Sequence, residues 1–183
     1  MKRATHTELQ PLLGDASIGL EARMSSGDHH SLRLWLRLLS CSTDIETQIR
    51  QRLRGQFGMT LARFDYLAQL HRHPNGLRMN ALSRFLMVTG GNVTGLTDEL
   101  EKDGFVAREA DPDDRRSWRV ALTPKGRKAF ERIASVHEGW VVGLLGGMPD
   151  ADRHQLYELL GRLRVQLSAQ QAVPGKAMTT GKP

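Results

Sequence analysis

The chain has 183 residues, 39% of them hydrophobic and 25% charged, with a net charge of +6. No apolar run approaches the ~20 residues of a membrane helix, so no membrane partner is expected. The single cysteine, Cys41, excludes a disulfide framework within the chain and suits a reducing cytoplasm. The basic balance favours a polyanionic partner, nucleic acid first.

The start, "MKRATHTELQPLLGDASIGL", carries basic residues but no apolar core or small-residue cleavage site, and so does not read as a secretory signal. Residues 1–28 lack a sustained period and are expected to be a flexible arm with one short helical piece at Glu8–Leu13. A helix follows over about 31–56, with Leu32, Trp35, Leu36, Leu39, Ile45, Ile49 and Leu53 at helical spacing. "TLARFDYLAQLHRH" predicts a second, with Leu61, Phe64, Leu67 and Leu70 on one face and Thr60 as N-cap. Pro74-Asn75-Gly76 ends it. Met79 to about Leu86 is a third, short helix. "VTGGN" reads as a turn, and "NVTGLTDELEKDGF" as a fourth helix stopped by Gly104.

Next, Phe105–Ala110 and Ser117–Leu122 alternate as short strands joined by "DPDDRR", a two-stranded hairpin with a charged tip. Thr123-Pro124 is an N-cap followed by proline at the first helical position. The fifth helix carries Phe130, Ile133, Ala134, His137 and Val141 on one face and ends near Gly146-Gly147. A last helix from about Asp150 sets Leu156, Leu160, Leu163 and Leu167 in a narrow seam that suits pairing with another helix. Residues 168–183 are polar and of low complexity, a disordered tail.

Two short helices and a hairpin in this order make a mainly α fold: a winged helix-turn-helix over about 58–123, with a two-stranded β wing and helical dimerisation regions over about 31–56 and 124–167. The fourth helix is the element suited to a major groove. Its first turns offer Thr89, Gly90, Asn92, Val93, Thr94 and Thr97, with Gly91 and Gly95 allowing close backbone approach. The competing reading takes "TGGN" as a flexible turn and Gly95 as a helix defect. At the wing, an arginine suits the narrow minor groove, where negative potential is enhanced. Asp114 lies two residues before Arg116, on one face of an extended strand, and can hold it by an ion pair. Arg115 points elsewhere and suits a phosphate. Taken by itself, the tip is equally a solvated, salt-bridged loop.

The stretch "LSRFLMVTGGNVTGLTDELEKDGFVAREADPDDRRSWRVALTPKGRKAF" resembles the winged-helix segment of the MarR (multiple-antibiotic-resistance regulator) family. Leu82, the turn into the fourth helix, "LEKDGFV", "DPDDRR" and "LTPKG" carry the likeness, which extends over about residues 31–167. The resemblance implies a homodimer interlocked through its first helix and last two helices and bound to double-stranded DNA at a pseudo-palindromic operator. It also implies transcriptional control, usually repression, released by a small acidic or aromatic molecule bound between the dimer helices and the winged domain.

That cleft is expected between the first, second and fifth helices, with Arg33, Trp35, Arg37, Phe64, His71 and His137 as candidate ligand residues. Arginines and aromatic walls suit an aromatic carboxylate or its thioester. Trp35 and Phe64 fall equally on core spacing. Some branches of the family sense peroxide through a cysteine in the first helix, at about the position of Leu36. Cys41 lies five residues later and reads as a buried small apolar residue. No catalytic residue, cofactor or metal site is expected. A protein-interaction module without ligand response is one alternative. A metal-dependent enzyme built on Asp111, Asp113 and Asp114 is another, weakened because neighbouring arginines compete for those carboxylates.

Overall fold

The computed structural model describes residues 29–87, 89–111 and 114–172, with backbone alone at 111, 114–117, 171 and 172. The expected arm, its helix at Glu8–Leu13 and the last residues of the tail lie outside the described residues. In chain order the elements are α1 (His30–Phe57), α2 (Leu61–Arg72), β1 (Leu77–Arg78), α3 (Met79–Leu86), α4 (Gly90–Lys102), β2 (Val106–Asp111), β3 (Asp114–Leu122), α5 (Pro124–Leu145) and α6 (Asp150–Ala172). The chain divides within α5 into two compact units, Met1–His137 and Glu138–Pro183.

Caps written in the sequence set the boundaries of the first unit. Gly58 takes the left-handed conformation and closes α1, its N–H bonding to Arg54 O and that of Met59 to Leu53 O. Thr60 Oγ1 accepts from Arg63 N at 3.3 Å to open α2. Gly104, also left-handed, ends α4 with the bonds Gly104 N to Glu101 O and Phe105 N to Leu100 O, a Schellman closure. Thr123 Oγ1 accepts from Gly126 N at 3.0 Å, opening α5 at Pro124. Gly126 itself is required by packing: a Cβ there would stand 1.9 Å from Phe105 O.

The core of this unit is Leu53, Tyr66, Leu67, Leu70, Leu82, Val93, Thr97, Leu100, Val106, Val120 and Ile133, all essentially inaccessible to solvent. The sheet has three antiparallel strands in the order β1-β3-β2, one more than the predicted hairpin. β1 pairs Leu77 with Val120 and Arg78 with Arg119, and two residues are too few to show a period of two. The wing strands reach further toward the tip than alternation suggests. Helix α4 begins at Gly90 with Thr89 as N-cap, so the two glycines read as a turn form its first turn.

In the second unit, α6 runs to Ala172, past the boundary at Leu167 suggested by the seam. Arg153 fastens its first turn to the preceding loop, donating to Met148 O at 2.7 Å and pairing with Asp150. Leu156, Leu159, Leu160 and Leu167 are all exposed within the single chain. Cys41 is also exposed, contrary to the buried position expected of it. It lies in a stretch of α1, Cys41 to Asp44, that faces outward as a whole.

Candidate nucleic-acid interface

Two faces of α4 divide the residues predicted to meet DNA. Val93, Thr97 and Leu100 follow i, i+4, i+7 spacing and are buried. Val93 and Thr97 are therefore corrected from DNA-facing to core. Thr97 Oγ1 donates to Val93 O at 2.7 Å and lies 2.5 Å from Tyr66 Oη. Because the threonine proton is spent on the carbonyl, Tyr66 is the donor between the two hydroxyls. Burial pushes the Tyr66 phenol up to about 12, which keeps that donor protonated.

The opposite face carries Gly91, Thr94, Gly95 and Asp98, all exposed, with Thr89, Gly90 and Asn92 at the helix entrance. Space around Gly90, Gly91 and Gly95 is open. Thr94 Oγ1 bonds back to Gly90 O at 3.1 Å, and Thr89 makes no side-chain cap. The first turns hold no charge, while Asp98, Glu99, Glu101 and Asp103 crowd the last. A polyanion is therefore drawn to the N-terminal end, where the helix dipole adds to the preference.

Residues not singled out from sequence hold α4 in place through its acidic C-terminal half. Arg108, on β2, forms ion pairs with both Asp98 and Glu101, and its backbone N–H donates to Glu101 Oε1 at 3.2 Å. The wing is thereby fixed to the recognition helix, and two carboxylates near it are neutralised. Arg63 of α2 pairs with Asp103, the C-cap at this same end of α4, and Lys125 Nζ donates to Asp103 O at 2.7 Å. The i, i+3 pair Asp98 and Glu101, opposite an arginine in the strand that follows, was the available signal. Met87 precedes the recognition helix in the left-handed region with φ 52° and is 92% exposed.

At the wing, Ala110 stands opposite Trp118, but the next pair is Asp111 with Asp114. Residues 115–117 thus fall outside the paired register, and strict alternation from Asp114 to Arg116 does not hold there. The side chains of Asp114, Arg115 and Arg116, and the ion pair expected of them, lie outside the description.

Three of the six candidate ligand residues come together. Phe64 stacks on Phe130 with centroids 5.5 Å apart and meets His137 at 4.8 Å; His71 meets Phe130 at 4.8 Å. His71 Nε2 lies 3.5 Å from a Glu131 carboxylate oxygen. Burial lowers the pKa of His137. Phe64 is buried in this cluster as core. Arg33, Trp35 and Arg37 occupy the first turns of α1, where Trp35 is 56% exposed rather than on a core face. A cavity of ≈ 180 Å³ is lined instead by Glu46, Arg50, Leu61, Ala62, Asp65, Leu86 and Leu96.

No helix among the described residues is long and apolar enough to cross a membrane. The model of the MarR family matches residues 59–118, from the end of α1 to the wing. The chain is 36% identical over 104 residues to the transcriptional activatory protein BadR of Rhodopseudomonas palustris, a match covering 56% of this chain and 59% of BadR. The chain thus spans less than two thirds of BadR. It is 28% identical over 142 residues to the HTH-type transcriptional repressor YetL of Bacillus subtilis, covering 77% of this chain and 84% of YetL. Among solved structures it resembles a MarR family transcriptional regulator from Silicibacter pomeroyi, with TM-score 0.64, 33% identity and coverage of 80% and 99% of the two chains. It shares the fold of MepR from S. aureus in a complex with DNA, with TM-score 0.62, 24% identity and coverage of 76% and 98%. With its recognition helix, its wing and these relatives, the chain belongs to the MarR family of DNA-binding transcriptional regulators.

Proposed function

We propose that the chain works in the cytoplasm as a homodimer that reads a pseudo-palindromic operator and represses transcription until a small aromatic or acidic molecule, or its thioester, releases it. The observation that carries this reading is the exposed, uncharged N-terminal half of α4, fixed beside a wing whose sequence is rich in arginine. Thr89, Gly90, Asn92 and Thr94 meet base edges or phosphates in the major groove. Arg116 enters the minor groove with Asp114 orienting it, and Arg115 takes a phosphate. A second copy covers the exposed leucines of α6 and the first turns of α1, and two recognition helices then address two half-sites.

The repressor name of YetL supports the sense of control. The name of BadR supports the second reading, an activator using the same DNA-binding parts. Arg33, Trp35 and Arg37 on α1, with His71 and His137 near Phe64, are the groups offered to the effector. All the reported relatives are transcription regulators, which weighs against an enzyme.

The test is fluorescence anisotropy on duplex DNA from upstream of the chain's own gene, with random duplex as control, across a salt series. Tight, salt-steep binding that prefers the upstream duplex and is reversed by aromatic acids or thioesters is expected. Arg116→Ala weakens specific binding by about 1–3 kcal/mol. Equal, weak binding to both duplexes would contradict the reading, and unchanged affinity of Arg116→Ala would remove the minor-groove role.

A further inference from the structure

Trp118 is a large aromatic residue left 57% exposed on the wing strand β3. It stands opposite Ala110 at the last regular pair before the register shifts. From there back to Val106 and Leu122 the ladder is regular, so Trp118, Val120 and Leu122 share one sheet face with Ala110, Arg108 and Val106. This is the face that carries α4: Val106 and Val120 are buried on it, and Arg108 reaches from it to Asp98 and Glu101.

The chain reverses at Gly104, so β2 runs back along α4. Moving from Arg108 toward the tip moves from Asp98 toward the earlier turns of the helix. Those turns present Gly91, Thr94 and Gly95, which are small and exposed. The indole therefore lies on the sheet face that carries α4, two residues nearer the tip of the wing than the level of Arg108. Its surroundings in sequence are basic: Arg115 and Arg116 precede it and Arg119 follows. The strand acid Glu109 stands opposite Arg119 in the ladder, on the other sheet face.

We propose that Trp118 packs on the sugar–phosphate backbone of bound DNA, between the groove occupied by α4 and the tip of the wing. An indole offers a broad apolar flank to deoxyribose and one N–H to a phosphate oxygen. The contact positions the duplex without reading its sequence. The proposal rests on the reading of α4 and the wing as the DNA-facing surface.

The test uses the full chain with both the upstream and a random duplex. Trp118→Ala weakens binding to both by the same factor, on the order of tenfold, as for one good contact. The salt slope is unchanged, since no counterion-releasing charge is removed. Trp118→Phe keeps most of the affinity. Duplex DNA protects wild-type tryptophan emission from acrylamide quenching, and this protection disappears in Trp118→Phe, which retains only Trp35 and Trp140. Wild-type affinity in both variants, protection that persists in Trp118→Phe, or a loss confined to the upstream duplex would each overturn the proposal while leaving the DNA-binding reading intact. Failure of the wild-type chain to bind either duplex would end that reading, and the proposal with it. Should Trp118→Ala fail to fold, Trp118→Phe and the quenching comparison decide.

Discussion

The winged unit and α6 satisfy their apolar residues in opposite ways. Every fully buried side chain of the described residues lies between Leu53 and Ile133, where helices, sheet and caps close on one another. α6 is a well-formed helix of 23 residues whose leucines, the half-buried Leu163 apart, stay exposed. A helix of that length is held in water mainly by packing of an apolar face, which is the role the proposed dimer gives to these leucines. The winged unit closes on its own residues, whereas the proposed function assigns the open face of α6 to a second copy of the chain.

Substitution of α6 gives the largest effect. Leu160→Asp, which places a charge in the seam, yields monomers in sedimentation and lowers operator affinity by two or more orders of magnitude on the order of the energies of a buried unpaired charge. The winged unit stays folded by circular dichroism. A folded dimer with unchanged affinity would erase the contrast.

A smaller effect separates the two faces of α4. Thr97→Val removes the acceptor of the buried Tyr66 hydroxyl and lowers unfolding free energy by about 1–3 kcal/mol, with operator preference unchanged. Asn92→Ala does the reverse, altering preference between operator and random duplex with little change in denaturant midpoint. Altered preference in Thr97→Val would put that residue back at the DNA.

The smallest effect concerns the turn before the recognition helix. Met87→Gly relieves a left-handed residue and raises stability by roughly 1 kcal/mol in chemical denaturation. No gain would mean that the exposed side chain offsets its own strain.

Much of this was legible in the chain. Helical spacing marked α1, α2, α5 and α6, and Thr60, Gly104 and Thr123-Pro124 placed ends that hydrogen bonds now account for. What escaped was chemistry that a linear pattern does not contain. β1 is two residues long and exists through its pairing with β3. A threonine suits a groove or a core equally, and only the neighbours Val93 and Leu100 on its face assign Thr97 to the core. Arg108 read as one charge in a strand until the fold set it against Asp98 and Glu101. Residue type suggested a buried Cys41, and spacing allowed Trp35 a core face, yet both are exposed in the single chain.

The most direct measurement is sedimentation velocity of the full chain, alone and with the upstream duplex. The account predicts a dimer without DNA and two chains per duplex with it. A monomer that binds as one chain per duplex would contradict it.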